Sequence, residues 1–171
     1  MRRVILSVIV LSLATLACGE SVPATPFPTP EVSAFENSET SYGFFPSPPE
    51  ISMESVLQHY ENMGKYGDFV LYQHSIPWKD FVESVDGESQ NRTDIRNQMI
   101  LARENGLDSI FVVDALNGLN RREFMDLPWG WDANFGNSDV RAAFKNYTLW
   151  VVREFQPRYL GLGSEVNTYL D

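Results

Sequence analysis

Apolar residues recur along the chain in short runs, separated by segments with helical spacing. Continuous apolar runs occur at 42–45, 68–72 and 108–113, and proline, glycine or polar residues bound each of them. Runs of this length are typical of strands that are buried on both faces, whereas apolar residues three and four apart indicate amphipathic helices. The pattern therefore predicts alternating strands and helices from residue 42 onward.

Three helices are predicted to connect the strands. The first follows an N-cap at Ser52 and closes at Gly64 or Gly67, and the second covers 93–105 and stops at Gly106. The third begins at Asn137 or Ser138 and ends before Pro157. Their predicted core-facing residues are Met53, Val56, Tyr60 and Met63, then Ile95, Met99 and Ala102, then Val140, Ala143, Phe144, Tyr147, Val151 and Phe155.

A fourth strand is predicted over 158–167, close to the end of the given sequence. Side chains alternate along a strand, so Gly161, Gly163 and Glu165 would share one face while Leu160 and Leu162 face the helices. Two small residues followed by an acid suit the crowded interior of a barrel that opens into a polar mouth. Because ligands bind at the carboxyl ends of parallel strands, Glu165 is a candidate catalytic residue.

The predicted order β-α-β-α-β-α-β belongs to the α/β class, with a parallel sheet. Two architectures share it, the open doubly wound sheet and the (β/α)8 TIM barrel. A doubly wound sheet usually binds a nucleotide through a glycine-rich turn after its first strand, but 45–49 is Phe-Pro-Ser-Pro-Pro. The sequence therefore favours the TIM barrel. A whole barrel needs about 250 residues, so we expect only its N-terminal half, about four βα units.

Polar residues follow every predicted strand and would meet at one edge of the sheet. Two long connections, 75–91 and 115–137, lie at the same edge, and long connections in compact domains are usually functional. They carry Trp78, Trp129 and Trp131, whose indole rings are suited to stacking on sugar rings or to packing their own loops. The polar residues at this edge are Ser47, Gln73, His74, Ser75, Asp114, Asn117, Glu165 and Asn167.

The motif Gly161-Leu-Gly-Ser-Glu-Val-Asn167 resembles the fourth strand of the retaining glycoside hydrolases with a TIM barrel, and within them the endo-β-1,4-galactanase family. The resemblance implies that Glu165 is the general acid and base that cleaves a β-glycosidic bond in a polysaccharide. Ser164 stands where those enzymes have an asparagine. The substrate contacts that we infer at this edge are Ser164, Asn167, Asp114, His74, Trp129 and Trp131.

Retaining hydrolysis requires a second carboxylate about 5 Å from the first. The resemblance places that nucleophile on the seventh strand of the barrel, beyond the four units expected here. We therefore expect a fragment that is inactive alone unless a partner chain supplies the other half, and a glycoside hydrolase when it is complete.

Three other interpretations remain open. Glu165 could form a structural ion pair with Arg121, Arg122 or Arg158. The chain could bind carbohydrate without cleaving it, as a lipoprotein that has lost the nucleophile. It could also be the solute-binding lipoprotein of a transporter, which would need two lobes and a hinge.

The N-terminal residues form a separate signal. Arg2 and Arg3 precede an apolar run that is too short to span a membrane comfortably, and 15–19 resemble the lipobox of bacterial lipoproteins, in which Cys18 is acylated. The alternative is an ordinary export signal with an incidental cysteine. We predict a signal peptide at 1–17, a linker rich in Pro, Thr and Ser at 18–40, and the partial barrel at 41–171. This layout indicates an extracytoplasmic protein that a lipid anchors to the membrane.

Charge narrows the choice of ligand. Removing the signal leaves 13 minus 2, or 11, basic residues against 23 acidic ones, a net charge of −12. Nucleic acid and anionic lipid surfaces are therefore poor partners, whereas a neutral poly- or oligosaccharide is compatible. His59, His74 and Cys18 do not have the spacing of zinc ligands, so we expect no metal and no cofactor.

Overall fold

A computed structural model describes residues 40–170 of the chain, within the compact unit Glu39–Asp171. The strands are β1 (Gly43–Phe44), β2 (Phe69–Ser75), β3 (Asp108–Asp114) and β4 (Tyr159–Gly161). The helices are α1 (Met53–Tyr66), α2 (Trp78–Phe81), α3 (Gln90–Glu104) and α4 (Ser138–Phe155), and a 3-10 helix covers Val166–Leu170.

The four strands form one parallel sheet in the order β1-β2-β3-β4. The pairing of β2 with β3 is the longest and runs from Phe69 opposite Asp108 to Ser75 opposite Asp114. Because the order never reverses, right-handed crossovers place the connecting helices on one side of the sheet. The predicted α/β class, with helices alternating with parallel strands, is confirmed.

The two faces of the sheet differ in burial. On the helical face, Val70, Tyr72, Phe111 and Val113 are at most 1% exposed. The helices contribute the rest of this core, including Tyr60, Met63, Ile95, Met99, Ala102, Val140, Ala143, Tyr147, Val151 and Phe155. We call the opposite side the open face; its apolar residues, Phe69, Leu71, Ile110 and Val112, are only partly buried.

Local N-cap hydrogen bonds mark the residues at which the helices begin. The Ser52 hydroxyl accepts a hydrogen bond from the Ser55 amide at 3.1 Å, as predicted for the start of α1. Helix α3 begins at Gln90, earlier than predicted, because the Ser89 hydroxyl accepts the Arg92 amide in the same way. The prediction that Met53 faces the core is wrong, since this first-turn side chain is 73% exposed.

The predicted fourth strand is too long. Strand β4 ends at Gly161, Leu162 is 60% exposed rather than packed under the helices, and Glu165 adopts a left-handed backbone conformation with φ 51°. One cause is a contact made by the loop that follows β3, where Arg121 Nη2 donates a hydrogen bond to the Ser164 carbonyl. The Ser164 carbonyl is therefore bonded to Arg121, and the 3-10 helix Val166–Leu170 follows.

Between residues 40 and 170, none of the helices combines the length and the apolar character that a membrane crossing requires.

Candidate functional site

The carboxyl end of β3 carries a buried carboxylate. Asp114 is 4% exposed, and its Oδ2 accepts hydrogen bonds from Gln73 Nε2 at 2.6 Å and from Arg121 Nη1 at 2.7 Å. Its Oδ1 accepts from Arg121 Nη2 at 2.9 Å and from the Leu116 amide at 3.3 Å. Each carboxylate oxygen therefore has two donors, and Arg121 binds both oxygens with its planar guanidinium.

The same guanidinium reaches the segment that follows β4. Arg121 also donates to the carbonyls of Leu116 (3.1 Å) and Ser164, and its Nε lies 3.4 Å from Glu165 Oε2. The Thr168 hydroxyl donates back to the Arg121 carbonyl at 3.1 Å. These contacts join the ends of β2 and β3 to the segment after β4. We call this group the Arg121 network; its members are Gln73, Asp114, Arg121, Ser164 and Glu165.

The network sets the charges at this edge of the sheet. Burial would raise the pKa of Asp114, but hydrogen bonds from Arg121 and Gln73 outweigh it and hold that pKa below its ordinary value. Asp114 in turn raises the pKa of Arg121. The network therefore places the Arg121 guanidinium against the buried, ionised Asp114, while the more exposed Glu165 lies 3.4 Å from its Nε.

A cleft of about 550 Å³ lies beside the network. We call it the rim cleft; its walls include Phe45, Ser47, Gln73, Ser75, Asp114 and Met125. Phe45 is 59% exposed and presents an apolar ring, whereas the hydroxyls and the Gln73 amide offer hydrogen bonds. The predicted substrate contact at Asp114 is not available in this arrangement, because Gln73, Arg121 and the Leu116 amide already occupy its carboxylate. Apolar rings combined with several polar groups suit an uncharged polyhydroxylated ligand.

His74 lies at the edge of this cleft but belongs to the core. Its ring is 5.7 Å from that of Tyr72 and 5.6 Å from that of Phe111, both on the helical face. Burial lowers the pKa of His74, and the side chain of Gln98 partly offsets this shift. Among the described residues, no hydrogen-bond partner lies within reach of its buried Nε2. His74 is therefore neutral at pH 7 and supports the cleft wall from behind.

The tryptophans of the two long connections have different environments. Trp129 is 100% exposed and is free to stack on a ligand. Trp131 is partly buried against the core. Trp78 is 2% exposed and its Nε1 donates to the Met125 carbonyl at 2.8 Å, so this indole packs its own loop.

The remaining candidates are divided. Ser164 and Glu165 join the Arg121 network, and 61% of the Glu165 side chain stays accessible. Asn167 is exposed in the 3-10 helix. Trp129 is distant in sequence from Ser164 and Glu165. Cys18, the candidate lipidation site, lies outside the described residues.

Sequence reasoning missed the central role of Arg121 in this network. The sequence suggested Arg121 only as one of three partners for Glu165, and that ion pair is present at 3.4 Å. Its two-pronged contact with Asp114 depends on how the loop after β3 folds back. A basic residue seven positions after a strand-end acid is the one available signal, and it is weak.

Neither a known protein family, nor a curated protein, nor a solved structure matches the chain. Within 40–170, no group of three or more histidine, cysteine or acidic side chains is arranged to hold a metal ion.

Proposed function

We propose that the carboxyl edge of the sheet binds a neutral β-linked oligo- or polysaccharide, and that Glu165 is the acid and base of a retaining glycoside hydrolase with a TIM barrel. The observation that carries the proposal is the Arg121 network, which gathers the ends of three strand units beside the rim cleft. The unreversed strand order supports the barrel, because a doubly wound sheet changes direction.

The position of Glu165 supports its part in this proposal. Its left-handed backbone is uncommon for a residue with a side chain, and such strain concentrates at active sites. Its side chain is 61% accessible, and its carboxylate lies beside a guanidinium that can orient it. The proton donor step requires that Glu165 leave Arg121 and carry a proton when the substrate binds.

Hydrolysis also requires a nucleophile, and the other carboxylate of the network does not fit that part. Asp114 has all its lone-pair directions occupied by Gln73, Arg121 and the Leu116 amide. The second catalytic carboxylate must therefore come from strands that close the barrel. In the cell we place the domain outside the cytoplasm, anchored through a lipid on Cys18.

A second candidate function is carbohydrate binding without hydrolysis. The ion pair between Glu165 and Arg121 favours it, because a charged carboxylate held by a guanidinium is not a proton donor. Exposed Trp129 and Phe45 would then provide stacking surfaces.

The experiment uses a complete form of the enzyme, in which further strands close the barrel and supply the second carboxylate. It compares wild type with Glu165→Gln, which keeps the size of the side chain but removes its acid. We expect Glu165→Gln to reduce the release of reducing ends from β-1,4-galactan by about a hundredfold or more, because general acid and base catalysis contributes that much. Binding of galactan oligosaccharides should persist. The matched control is Glu123→Gln, in the loop after β3, which should leave both measurements unchanged.

The outcomes separate the two functions. Release by wild type that survives in Glu165→Gln contradicts the acid and base role. Binding without release by wild type selects the carbohydrate-binding function, and the absence of both refutes the carbohydrate site.

A further inference from the structure

Two asparagine–glycine pairs lie in the described part of the chain, and their hydrogen bonds differ. They are Asn105-Gly106, directly after α3, and Asn117-Gly118, in the loop after β3. We propose that Asn117 is a site of spontaneous deamidation, through a succinimide formed with the Gly118 nitrogen, whereas the fold protects Asn105. The reaction needs no ligand and does not rest on the proposed function, although Gly118 also lines the rim cleft.

The reaction joins two neighbouring residues. The backbone nitrogen of the glycine loses its proton and attacks Cγ of the asparagine side chain. The new bond closes a five-membered ring, the bond from Cγ to Nδ2 breaks, and the nitrogen of the side chain leaves as ammonia. Water then opens the ring at either carbonyl, which gives aspartate or isoaspartate. Glycine favours ring closure because it has no side chain and its backbone is permissive.

Exposure to solvent does not distinguish the two pairs. Asn105 and Asn117 are both partly buried, and Gly106 and Gly118 are both exposed. Water and hydroxide therefore reach both pairs, and the hydrogen bonds of the reacting groups decide which pair reacts.

The groups of the Asn117 pair are ready to react. Asn117 Oδ1 accepts a hydrogen bond from the Leu119 amide at 2.9 Å. This donor draws electrons from Cγ and stabilises the negative oxygen that forms when the ring closes. Among the described residues, neither the Gly118 amide nor Asn117 Nδ2 has an acceptor, so the nucleophile and the leaving group break no hydrogen bond.

The groups of the Asn105 pair are held by the end of α3. The Gly106 amide donates to the Arg103 carbonyl at 3.1 Å, and Asn105 Nδ2 donates to the Leu101 carbonyl at 2.8 Å. Both hydrogen bonds must open before the ring can form. Because each bond contributes to stability, we expect deamidation at Asn117 to be at least about tenfold faster than at Asn105.

The modification changes the loop that carries Arg121. Either product adds a negative charge next to Gly118 in the wall of the rim cleft. The isoaspartate also lengthens the main chain between β3 and Arg121, whose contact with Asp114 depends on how this loop folds back. The modified chain should therefore separate from the original on an anion exchanger.

The test is incubation of the full chain with detergent in mildly alkaline buffer, followed by trypsin digestion and mass spectrometry. Trypsin cleaves after Arg103 and Arg121, so a single peptide, 104–121, carries both pairs, and its fragmentation assigns each modification to one asparagine. A sample digested at time zero corrects for deamidation during digestion. We expect at least about ten times more deamidation at Asn117 than at Asn105.

The matched control is the synthetic peptide 104–121 in the same buffer, which lacks the hydrogen bonds of the fold. Its two pairs should react at similar rates. Gly118→Ala should slow deamidation at Asn117 severalfold and leave Asn105 unchanged. An added Cβ at Gly118 meets no atom within 4 Å, so this variant should fold, and circular dichroism verifies that it does.

Three results would overturn the proposal. The first is a folded chain in which Asn117 stays unmodified or reacts no faster than Asn105. The second is a free peptide with the same preference for Asn117, because the local sequence rather than the fold would then decide. The third is a folded Gly118→Ala chain that deamidates at Asn117 as fast as wild type.

Discussion

Replacing Arg121 with methionine is expected to lower the free energy of unfolding by about 3–5 kcal/mol, the usual cost of leaving a buried charge without its partner. Asp114 is the charge in question, since its side chain is 6% exposed and two of its four hydrogen bonds come from this guanidinium. The carbonyls of Leu116 and Ser164 lose a donor as well. Urea unfolding followed by circular dichroism measures the change.

The neighbouring Arg122→Met is the matched control, because this arginine is exposed, and its loss should cost less than about 0.5 kcal/mol. Removing the carboxylate should rescue part of the loss, so Asp114→Asn combined with Arg121→Met should be less destabilised than the sum of the single variants. Equal effects at Arg121 and Arg122, or simple additivity, would contradict the network.

Replacing Arg92 with alanine is expected to lower the free energy of unfolding by about 3 kcal/mol, through unsatisfied carbonyls and a cavity. Arg92 is 1% exposed and donates to the carbonyls of Val85 at 2.6 Å, Asp80 at 2.9 Å and Ser84 at 3.4 Å. Its guanidinium also lies 3.8 Å from the centre of the Phe81 ring. Thermal or urea unfolding provides the measurement.

Arg153→Ala, at an exposed position on α4, is the control and should change stability by less than about 0.5 kcal/mol. Arg92→Lys should recover only part of the loss, because one ammonium group cannot reproduce the planar fork of donors. A fully stable Arg92→Lys would show that charge alone, rather than the three carbonyl contacts, holds the connection between α2 and α3.

The strands and helices that bury regularly spaced apolar side chains could be predicted from the sequence. The continuous apolar runs that became β2 and β3 identify the strands, although the expected burial on both faces is wrong: the helices cover one face, and the apolar residues of the other are only partly buried. Ser52 and Asn137 cap α1 and α4 through local hydrogen bonds, which also leave a signature in sequence.

The features that were missed depend on contacts between residues distant in sequence. The segment that follows β4 is held by Arg121, which donates a hydrogen bond to the Ser164 carbonyl 43 positions away. Arg92 lies just before the predicted helix 93–105 and is not among its predicted core residues, yet it is 1% exposed and its guanidinium lies over the rings of Phe81 and Trp150. Polar strand ends predicted a common edge for Gln73 and Asp114, but not the arginine that joins them.

The central claim is that carbohydrate binds at the carboxyl edge of the sheet, and amide NMR of the isotope-labelled protein tests it most directly. Titration with a β-1,4-galactan oligosaccharide should shift the amide signals of Gln73, Leu116 and Ser164, which line or flank the rim cleft. Signals from the outer surface of the helices, such as that of Arg153, should stay in place. Shifts confined to the helices, or no shifts with excess ligand, would contradict the account.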